Sequence, residues 1–553
     1  MARGSQPDPT PAAAPEVAVY SEREREVLAR HVTSVDDPVF ALIDLPEATR
    51  AALFSRYSRS PKSLRRLFLD EFWSDDRPRS TTSAPAVGTS RAQDLFGRVL
   101  QEYGDDSVAQ LAGAHVACEG ISNLCTKAVE WGRFGAYLEQ STRYVSYTDR
   151  PQGAYRYHVP QEVEACGLGS EFRQVMDRAF AAYAELLPRL RAVLDARVPR
   201  SDDPVPRRRA IRAAALDAAR GVLPVAATAN VGIYASAQAY EALLLRLRAH
   251  PLAEARQLGE AIRGALCSVI PDFLVRLDQP HRGGVWTAYL ARLDRELAQL
   301  AGAIQGSRAA DGAAGGPPQV RLLEFDPAGE RAILAGALFP HAGCGHERVR
   351  AFVDELDPQG FAQAFAVAVG ERGNRRHRPG RGLEHTDYLF EIVCDYGAFR
   401  DLQRHRPATL SWQALSPELG VSVPELIDEA GLRDSFDRAV RELEGLHQQL
   451  GAQAPVAAPY ALALAHRVRW SLRCNAREAM HIIELRSQPQ GHPEYRRVAQ
   501  AMLAAIRDVA GHRHLAAAMC FADLEPPGPA DLGRLVAEAR QRARPSAGEA
   551  PGG

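Results

Sequence analysis

The sequence has almost no surplus charge of either sign, because 67 Lys and Arg residues stand against 68 Asp and Glu residues. A chain this close to neutrality offers no general attraction to a nucleic acid or to an acidic membrane surface. We therefore expect no nucleic acid and no membrane as partner. The basic residues are almost all arginine, whose rigid fork of donors suits carboxylates and phosphates. A biased genomic composition explains the same excess equally well.

Paired cysteines and long apolar runs are also missing. The eight cysteines include no pair in C-x-x-C spacing, which argues against a zinc knuckle or a disulfide framework. We expect them to be small buried residues of a reducing compartment, and we expect no bound metal. No apolar run approaches the ~20 residues of a membrane-spanning helix, and the first residues lack the apolar core of a signal peptide. The sequence therefore predicts a cytoplasmic protein.

A length of 553 residues is too great for one ordinary hydrophobic core, so at least two domains are expected. Residues 1–16 and 542–553 are rich in Pro, Ala and Gly, and we predict that both are disordered tails. Residues 305–319, QGSRAADGAAGGPPQ, have the composition of a linker. These segments divide the chain into an N-terminal domain, 17–304, and a C-terminal domain, 320–541.

Most of the remaining chain has the spacing of amphipathic helices. Apolar residues recur every three or four positions in segments 174–196, 251–265, 436–450 and 495–509. Strand candidates are fewer, at 39–43, 155–159 and 320–325. Many helices with few strands predict an α+β fold that is helix-rich, with a small mixed sheet in each half.

The motif Arg404-His405-Arg406 places several hydrogen-bond donors within one helical turn. Such a group suits an anion or a cofactor, although a basic helix end that complements the helix dipole has the same composition. Upstream lies the pair Glu384-His385, which an apolar stretch follows. The motif alone leaves both interpretations open.

A second set of polar residues lies downstream, in CNAREAMHIIELRSQ. Asn475 and Arg486 are eleven residues apart, close to three turns, so on a helix they share a face. Arg477 lies well around the helix from both. The three residues therefore cannot meet at one atom, but they suit one extended ligand.

The first half has a different cluster, in GRFGAYLEQSTRYVSY. Ser141 and Arg143, together with nearby backbone N–H groups, suit the oxygens of a phosphate. A polar turn that leads into a strand is the alternative. Ser58 lies upstream in LFSRYSRS, and Arg220 lies downstream in AARGVLP.

These motifs resemble the signature of the flavin-dependent thymidylate synthases. In that family R-H-R is followed after seven residues by S-x-R, and later by A-R-x-x-L-P, N-x-R and a closing L-R. The second half is similar to this signature at R-H-R, N-x-R and L-R, but Ala414 stands where S-x-R should begin, and A-R-x-x-L-P is unrecognisable in APVAAPYALA. The first half keeps S-x-R and A-R-x-x-L-P, but it has Trp131-Gly132-Arg133 in place of R-H-R.

The two halves together cover the family signature almost once. In the first half, Ala237 and Ala239 replace the N-x-R pair, ahead of Leu247-Arg248. The resemblance therefore implies two tandem domains of this family that share one composite site. Active sites of the family lie at subunit interfaces. Each half can therefore lose different site residues while the two halves together still form one complete site. The family's tetramer would then become a homo-oligomer that is a dimer of tandem chains.

The resemblance implies methylation of dUMP at C5, with FAD as cofactor and with methylenetetrahydrofolate and NADPH as co-substrates. It assigns the ring-polarising, catalytic role to Arg486. The flavin is assigned to Glu384, Arg404, His405, Arg406, Asn475, Arg477 and Ser58. The dUMP phosphate is assigned to Ser141, Arg143 and Arg220.

Two other functions stay open at this stage. One is an enzyme of the same fold that modifies another pyrimidine nucleotide, for which Ala414 and Asp401 would be specificity changes. The other is a non-catalytic regulator that binds a nucleotide or a flavin. A flavin spectrum of the purified protein would argue against an empty scaffold, and rescue of a thymidine auxotroph would separate the first two functions.

Overall fold

The computed structural model describes residues 20–73, 108–198, 200, 204–304 and 316–527. The predicted tails, 1–16 and 542–553, and the predicted linker as far as residue 315 lie outside these ranges. In the described part of the chain, no helix is both long enough and apolar enough to cross a membrane. Four of the eight cysteines are buried, whereas Cys344 and Cys520 are exposed, and all eight carry free thiols.

The first half contains three strands, which are Gly113–Ser122 (β1), Gly135–Glu139 (β2) and Thr228–Ser236 (β3). Its α-helices are Glu22–His31 (α1), Glu47–Tyr57 (α2), Leu64–Leu67 (α3), Asn123–Val129 (α4), Gln161–Ala165 (α5), Gly169–Arg197 (α6), Pro204–Ala219 (α7), Ala237–Ala249 (α8), Ala253–Cys267 (α9), Val275–Asp278 (α10) and Val285–Ala301 (α11).

The second half contains four strands, which are Gln319–Phe325 (β4), Asp387–Asp395 (β5), Thr409–Trp412 (β6) and Arg467–Asn475 (β7). Its α-helices are Gly329–Ala342 (α12), His346–Glu355 (α13), Pro358–Val369 (α14), Tyr396–Leu402 (α15), Glu425–Glu429 (α16), Arg433–Gln453 (α17), Ala476–Arg486 (α18), Pro493–Asp508 (α19) and Arg513–Ala518 (α20).

Each half has one small sheet, in the orders β1-β3-β2 and β4-β5-β7-β6. The predicted helix-rich α+β fold is confirmed, but every strand pair is antiparallel, so the sheets are not mixed. The four predicted amphipathic helices correspond to α6, α9, α17 and α19, with two residues at the start of one segment and one at the end of another outside the helices, and the strand predicted at 320–325 is β4.

Two strand predictions were wrong. The segments at 39–43 and 155–159 pair only through the isolated bridges Val32–Leu42 and Tyr157–Ala227. The side chain of Val39 is 86% exposed, so extending a strand there would bury no apolar surface. The alternation and composition of the residues suited a strand at both places. A strand forms, however, only where a neighbouring strand can pair with it.

The two halves repeat one structural unit. A strand leads directly into a seven-residue helix, β1 into α4 and β5 into α15, and the last strand residue caps each helix through its side chain. These caps are Ser122 and Asp395. The following strands then pair in the same register, with Glu139 opposite Val231 and Trp412 opposite Trp470. The register fixes which residues of the halves are equivalent.

The halves meet around an approximate two-fold axis at a bridge between Pro224 and Ala463. On either side of this bridge, Val225 N–H donates to Leu462 C=O and Leu464 N–H donates to Leu223 C=O, each at 2.8 Å. Helix α6 packs against α17 beside this seam, and one hydrophobic core runs through both halves. The Leu-Pro pair of A-R-x-x-L-P therefore forms part of the contact between the halves.

Candidate active site

The structure brings polar residues of both halves together beside this seam. Helix α15 and the turn after it carry Arg400, Asp401 and the predicted Arg404-His405-Arg406. Strand β2 of the other half ends at Glu139, and the turn that follows carries Ser141 and Arg143. The predicted Arg220 begins the short 3-10 turn after α7.

Glu139 is a buried carboxylate that joins the halves. Arg400 Nη2 donates to its Oε1 at 2.5 Å, and Arg404 Nη2 lies 3.4 Å from its Oε2. Lys127 Nζ of the first half reaches the same Oε2 at 3.1 Å. Burial opposes ionisation, but the positive charges of Arg400, Lys127 and Arg404 outweigh it, so the pKa of Glu139 lies well below its usual range. Glu139 therefore fixes Arg404 against the first half.

Asp401 is a second carboxylate within an excess of arginine. Arg220 and Arg404 each approach it to 3.8 Å. Burial raises the pKa of Asp401, but Arg404, Arg220 and Arg486 lower it by more, so its pKa stays well below normal. Arg220 Nη2 is buried and has no hydrogen-bond partner among the described residues. The local charge is therefore positive and suits an anionic ligand.

His405 is held between a cation and an acid. Arg486 Nε donates to His405 Nε2 at 2.9 Å, so the imidazole proton lies on Nδ1, which reaches Glu478 Oε1 at 3.0 Å. Burial and the neighbouring Arg486, Arg406 and Arg404 lower the pKa of His405 far below normal. The imidazole is therefore neutral and fixes the orientation of the Arg486 guanidinium.

His405, Glu478 and His481 have the spacing of a metal-ligand set. Burial lowers the pKa of His481 to about 4, and Glu478 opposes that shift. The guanidinium of Arg486 occupies the second nitrogen of His405, and its positive charge opposes a cation. The expectation of no bound metal remains a prediction.

Of the remaining predicted flavin residues of the second half, Asn475 and Arg477 lie at the start of α18, and Glu384 lies in a 3-10 turn beside them. Arg477 Nη1 donates to Glu384 Oε1 at 3.1 Å, and Arg477 Nε donates to Pro379 C=O at 3.0 Å. Asn475 caps the helix, and its side-chain oxygen accepts from Glu478 N–H. Arg486 ends the helix. At 1.5 Å per residue, it lies ~16 Å along the helix axis from Asn475. This length suits the extended ligand that the sequence predicts.

Arg406 and Ser58 differ in their placement. The guanidinium of Arg406 lies over the ring of Tyr137 at 4.5 Å, and its Nε is buried with no partner in the described part of the chain. Ser58 caps the end of α2 and donates to Ser55 C=O at 2.9 Å. No hydrogen bond or ion pair among the described residues joins Ser58 to the cluster. Its predicted flavin contact therefore stays a prediction.

Arg143 has protein partners on most of its donors. Its Nε and Nη2 donate to the two oxygens of Asp217 at 2.7 Å each, and its Nη1 donates to Tyr495 Oη at 2.8 Å. A phosphate would have to share or displace Asp217. Ser141 supports the turn by accepting from Arg143 N–H at 3.2 Å. Arg220, with its unpaired Nη2, is better placed to receive an anion than Arg143.

Sequence reasoning missed Arg400, Asp217, Glu478 and Tyr495. Arg400 lies one helical turn before Arg404, and Asp217 lies one turn before Arg220, a spacing that places side chains on one face. That spacing was a usable signal. No pattern in the sequence pointed to Tyr495, because its contact with Arg143 depends on how the halves pack.

The sequence-based matching of first-half residues with N-x-R and L-R of the second half was shifted by one residue. Ser236 caps α8 as Asn475 caps α18, so Gln238 and Leu247 are the counterparts of Arg477 and Arg486. Ala237, Ala239 and Leu247-Arg248 are therefore not the N-x-R and L-R counterparts. Arg248 instead pairs with Glu260 and Asp278. Helix α8 is two residues longer than α18, so its Leu-Arg pair was a misleading guide.

Residues 50–272 and 372–511 match the family model described as thymidylate synthase complementing protein. A UPF0159 protein of Chlamydia muridarum is 34% identical over 533 residues, which are 95% of this chain and 99% of that protein. A flavin-dependent thymidylate synthase of Mycobacterium sp. strain JLS is 31% identical over 201 residues, 36% of this chain and 72% of that enzyme.

Among solved structures, the chain is similar to a UMP/dUMP methylase PolB from Streptomyces cacaoi bound with 5-Br dUMP. The identity is 21%, the TM-score is 0.30, and the match covers 36% of this chain and 95% of that one. This similarity is too weak to support a conclusion about the ligand.

Proposed function

We propose that this chain, which belongs to the thymidylate synthase complementing protein family, methylates dUMP at C5 in one composite, flavin-dependent site. The relative of 31% identity is a flavin-dependent thymidylate synthase. The observation that carries the proposal is the convergence of Glu139 and Arg220 from one half with Arg404, His405 and Arg486 from the other. Each half alone supplies an incomplete set.

The residues present fit FAD and a nucleotide. Buried guanidinium nitrogens of Arg406 and Arg220 have no protein acceptor among the described residues, and buried donors of this kind require a partner. FAD carries a diphosphate and dUMP a phosphate, which are suitable partners. We assign FAD to Arg404, His405, Arg406, Asn475, Arg477 and Glu384. Bound FAD would relay a hydride from NADPH, while methylenetetrahydrofolate would supply the carbon.

Arg486 acts at the uracil ring in this proposal. Negative charge that develops on the ring during reaction is stabilised by a fixed cation in a site with little water. Neutral His405 accepts from Arg486 Nε, and the ring of Tyr495 lies 5.6 Å from its guanidinium carbon. These contacts hold the cation in place before the reaction starts, without neutralising it.

The phosphate of dUMP is assigned to the first half. Arg220 carries the largest part, because its Nη2 lacks a protein acceptor among the described residues. Arg143 and Ser141 complete the set, with Asp217 as the competitor for Arg143. A dianionic phosphate binds strongly to such forked donors.

The seam between the halves takes the place of a subunit interface. We assign tandem domains to 17–304 and 320–541, joined by the linker 305–319, and a dimer of such chains as the assembly. Backbone hydrogen bonds across the seam support the close pairing of the domains. One composite site forms per chain, since the complementary residues on the other side of the seam are absent.

The direct test is formation of dTMP by the purified protein. We expect a yellow protein that converts dUMP only when methylenetetrahydrofolate and NADPH are both present, and that rescues a thymidine auxotroph. Conversion of UMP in preference to dUMP would instead identify another pyrimidine as substrate. A colourless protein that fails to rescue would contradict the proposal and favour a regulator.

A further inference from the structure

A second cavity lies at the place that the two-fold axis relates to the composite site. It encloses about 400 Å³ and is lined by residues of α4, α8, α11 and β6. The strand register and the helix caps define the equivalent residues. The composite-site residues Asp401, Arg404, His405, Arg486, Glu139 and Arg220 correspond to Ala128, Trp131, Gly132, Leu247, Trp412 and Pro459.

These replacements exchange charge for aromatic and apolar surface. Two indoles, those of Trp131 and Trp412, line the cavity, and Trp131 is 48% exposed. Lys127 also lines it, but the charge of its Nζ is balanced by Glu130 at 2.8 Å and Glu139 at 3.1 Å. The cavity thus lacks the arginine and carboxylate set that suits a flavin and a phosphate.

One unbalanced cation remains among the described lining residues, and it lies beside Gly132, the counterpart of His405. The absent side chain of Gly132 leaves room for Arg246, whose Nη2 lies 3.3 Å from the position of a Cβ at that glycine. The guanidinium carbon of Arg246 lies 5.1 Å from the centre of the Trp131 ring. Arg246 Nε and Nη2 are buried, and no hydrogen-bond partner among the described residues reaches them.

Helix α11 forms the outer wall of the cavity. Helix α11 packs against α8 and places Asp294 at the cavity rim, near His250. Asp294 is the one exposed acid of this rim in the described lining. The cavity is therefore acidic on the side of α11, and it is aromatic and cationic around Trp131 and Arg246.

We propose that this cavity is a second ligand site, which binds a planar aromatic molecule carrying a single anionic group. The indoles of Trp131 and Trp412 would contact the ring system, and Arg246 would receive the anion. Pro459 stands where Arg220 would receive a phosphate, so the phosphate set is missing here. The inference does not depend on the reaction proposed for the composite site.

The probe is 2-naphthoate, with the uncharged 2-naphthamide as its matched control. Binding to the full chain is measured by calorimetry and by quenching of tryptophan fluorescence. We expect 2-naphthoate to bind at least tenfold more tightly than 2-naphthamide. Arg246→Leu, which introduces the residue found at the equivalent Leu485, should remove this preference, and Arg246→Lys should restore part of it.

Two further variants locate the probe. Trp131→Leu should weaken both compounds, whereas Trp286→Leu, which removes an indole of similar exposure on α11, should weaken neither. Arg404→Ala, in the composite site, should leave binding unchanged. Equal affinities for the two compounds in the native protein would overturn the proposal whatever the variants do. Loss of binding in Arg404→Ala but not in Arg246→Leu would also overturn it, because the probe would then occupy the composite site.

Discussion

The two halves have one backbone plan and opposite chemistry. In both, a strand runs into a seven-residue helix with a side-chain cap, and the next strands pair in the same register. Around one side of the seam this plan presents Asp401, Arg404 and Arg486, and around the other it presents Ala128, Trp131 and Leu247. The strand pairing and caps maintain the fold, so the polar residues beside the seam can differ between the halves without loss of the fold.

The largest expected effect comes from replacing the proposed ring-polarising arginine of the second half with the residue that stands at the equivalent position of the first half. Arg486→Leu mimics Leu247 and should lower turnover by about 100- to 1000-fold, the cost of one lost donor to developing charge. Flavin content should stay nearly unchanged. The matched change in the first half is Arg248→Leu, which removes the arginine of the Leu-Arg pair there and should leave turnover within a few-fold. Steady-state kinetics with a flavin spectrum decides; similar losses in both variants would contradict the assignment.

A smaller effect is expected when a proposed flavin-binding residue of the second half and its counterpart in the first half are each replaced. Arg404→Ala should weaken flavin binding by about 10- to 150-fold, because a lost charge-assisted hydrogen bond costs roughly 1.5–3 kcal/mol. Trp131→Ala, at the equivalent position of the first half, should leave flavin content unchanged. Absorbance of the purified variants measures both. Full occupancy in Arg404→Ala would exclude the second half as the principal flavin site.

The nucleotide phosphate gives the reverse comparison, because the proposal assigns its binding residues to the first half. Arg220→Ala should weaken dUMP binding by a similar 10- to 150-fold and should spare the flavin. Pro459 occupies the equivalent place and cannot compensate. The measurement is a dUMP titration of the flavin-loaded protein, followed by flavin absorbance. Native affinity in Arg220→Ala would remove the first half from the site.

The smallest expected effect concerns the helix caps, and it depends on pH. Burial, then the charge of Glu494, raises the pKa of Asp395 from 3.8 to about 7. An acid with a raised folded-state pKa stabilises the protein most below its unfolded pKa, and this contribution is lost as pH rises through 7. As pH rises from 4 to 7, the native protein loses this contribution and Asp395→Asn does not. The free energy of unfolding of Asp395→Asn should therefore rise relative to that of the native protein by on the order of 1–3 kcal/mol.

The control for this cap is Ser236→Asn in the first half, because the side chain of Ser236 caps α8 by accepting from Ala239 N–H. Ser236 itself does not titrate, so the stability difference caused by its replacement should stay constant over the same pH range. Thermal unfolding midpoints at a series of pH values give both differences. A pH-independent difference for Asp395→Asn would show that Asp395 ionises normally in the folded protein.

The sequence predicted elements and motifs better than it predicted pairings. Helices α6, α9, α17 and α19 were predictable because a continuous apolar face repeats with helical period. The Arg143–Asp217 pair and the arginines around Asp401 were not, because they depend on where the halves touch. The equivalence of Asn475 with Ser236 also required the strand register, since a one-residue difference leaves no compositional trace.

The most direct test of the composite-site proposal is the number of dUMP molecules and flavins bound per chain. Calorimetric titration of dUMP into the flavin-loaded protein should give one dUMP per chain, and the absorbance of the same sample should give one flavin per chain. One site follows because the complete residue set exists on one side of the seam only. Two dUMP molecules per chain, or one dUMP bound with native affinity in Arg220→Ala, would contradict the proposal.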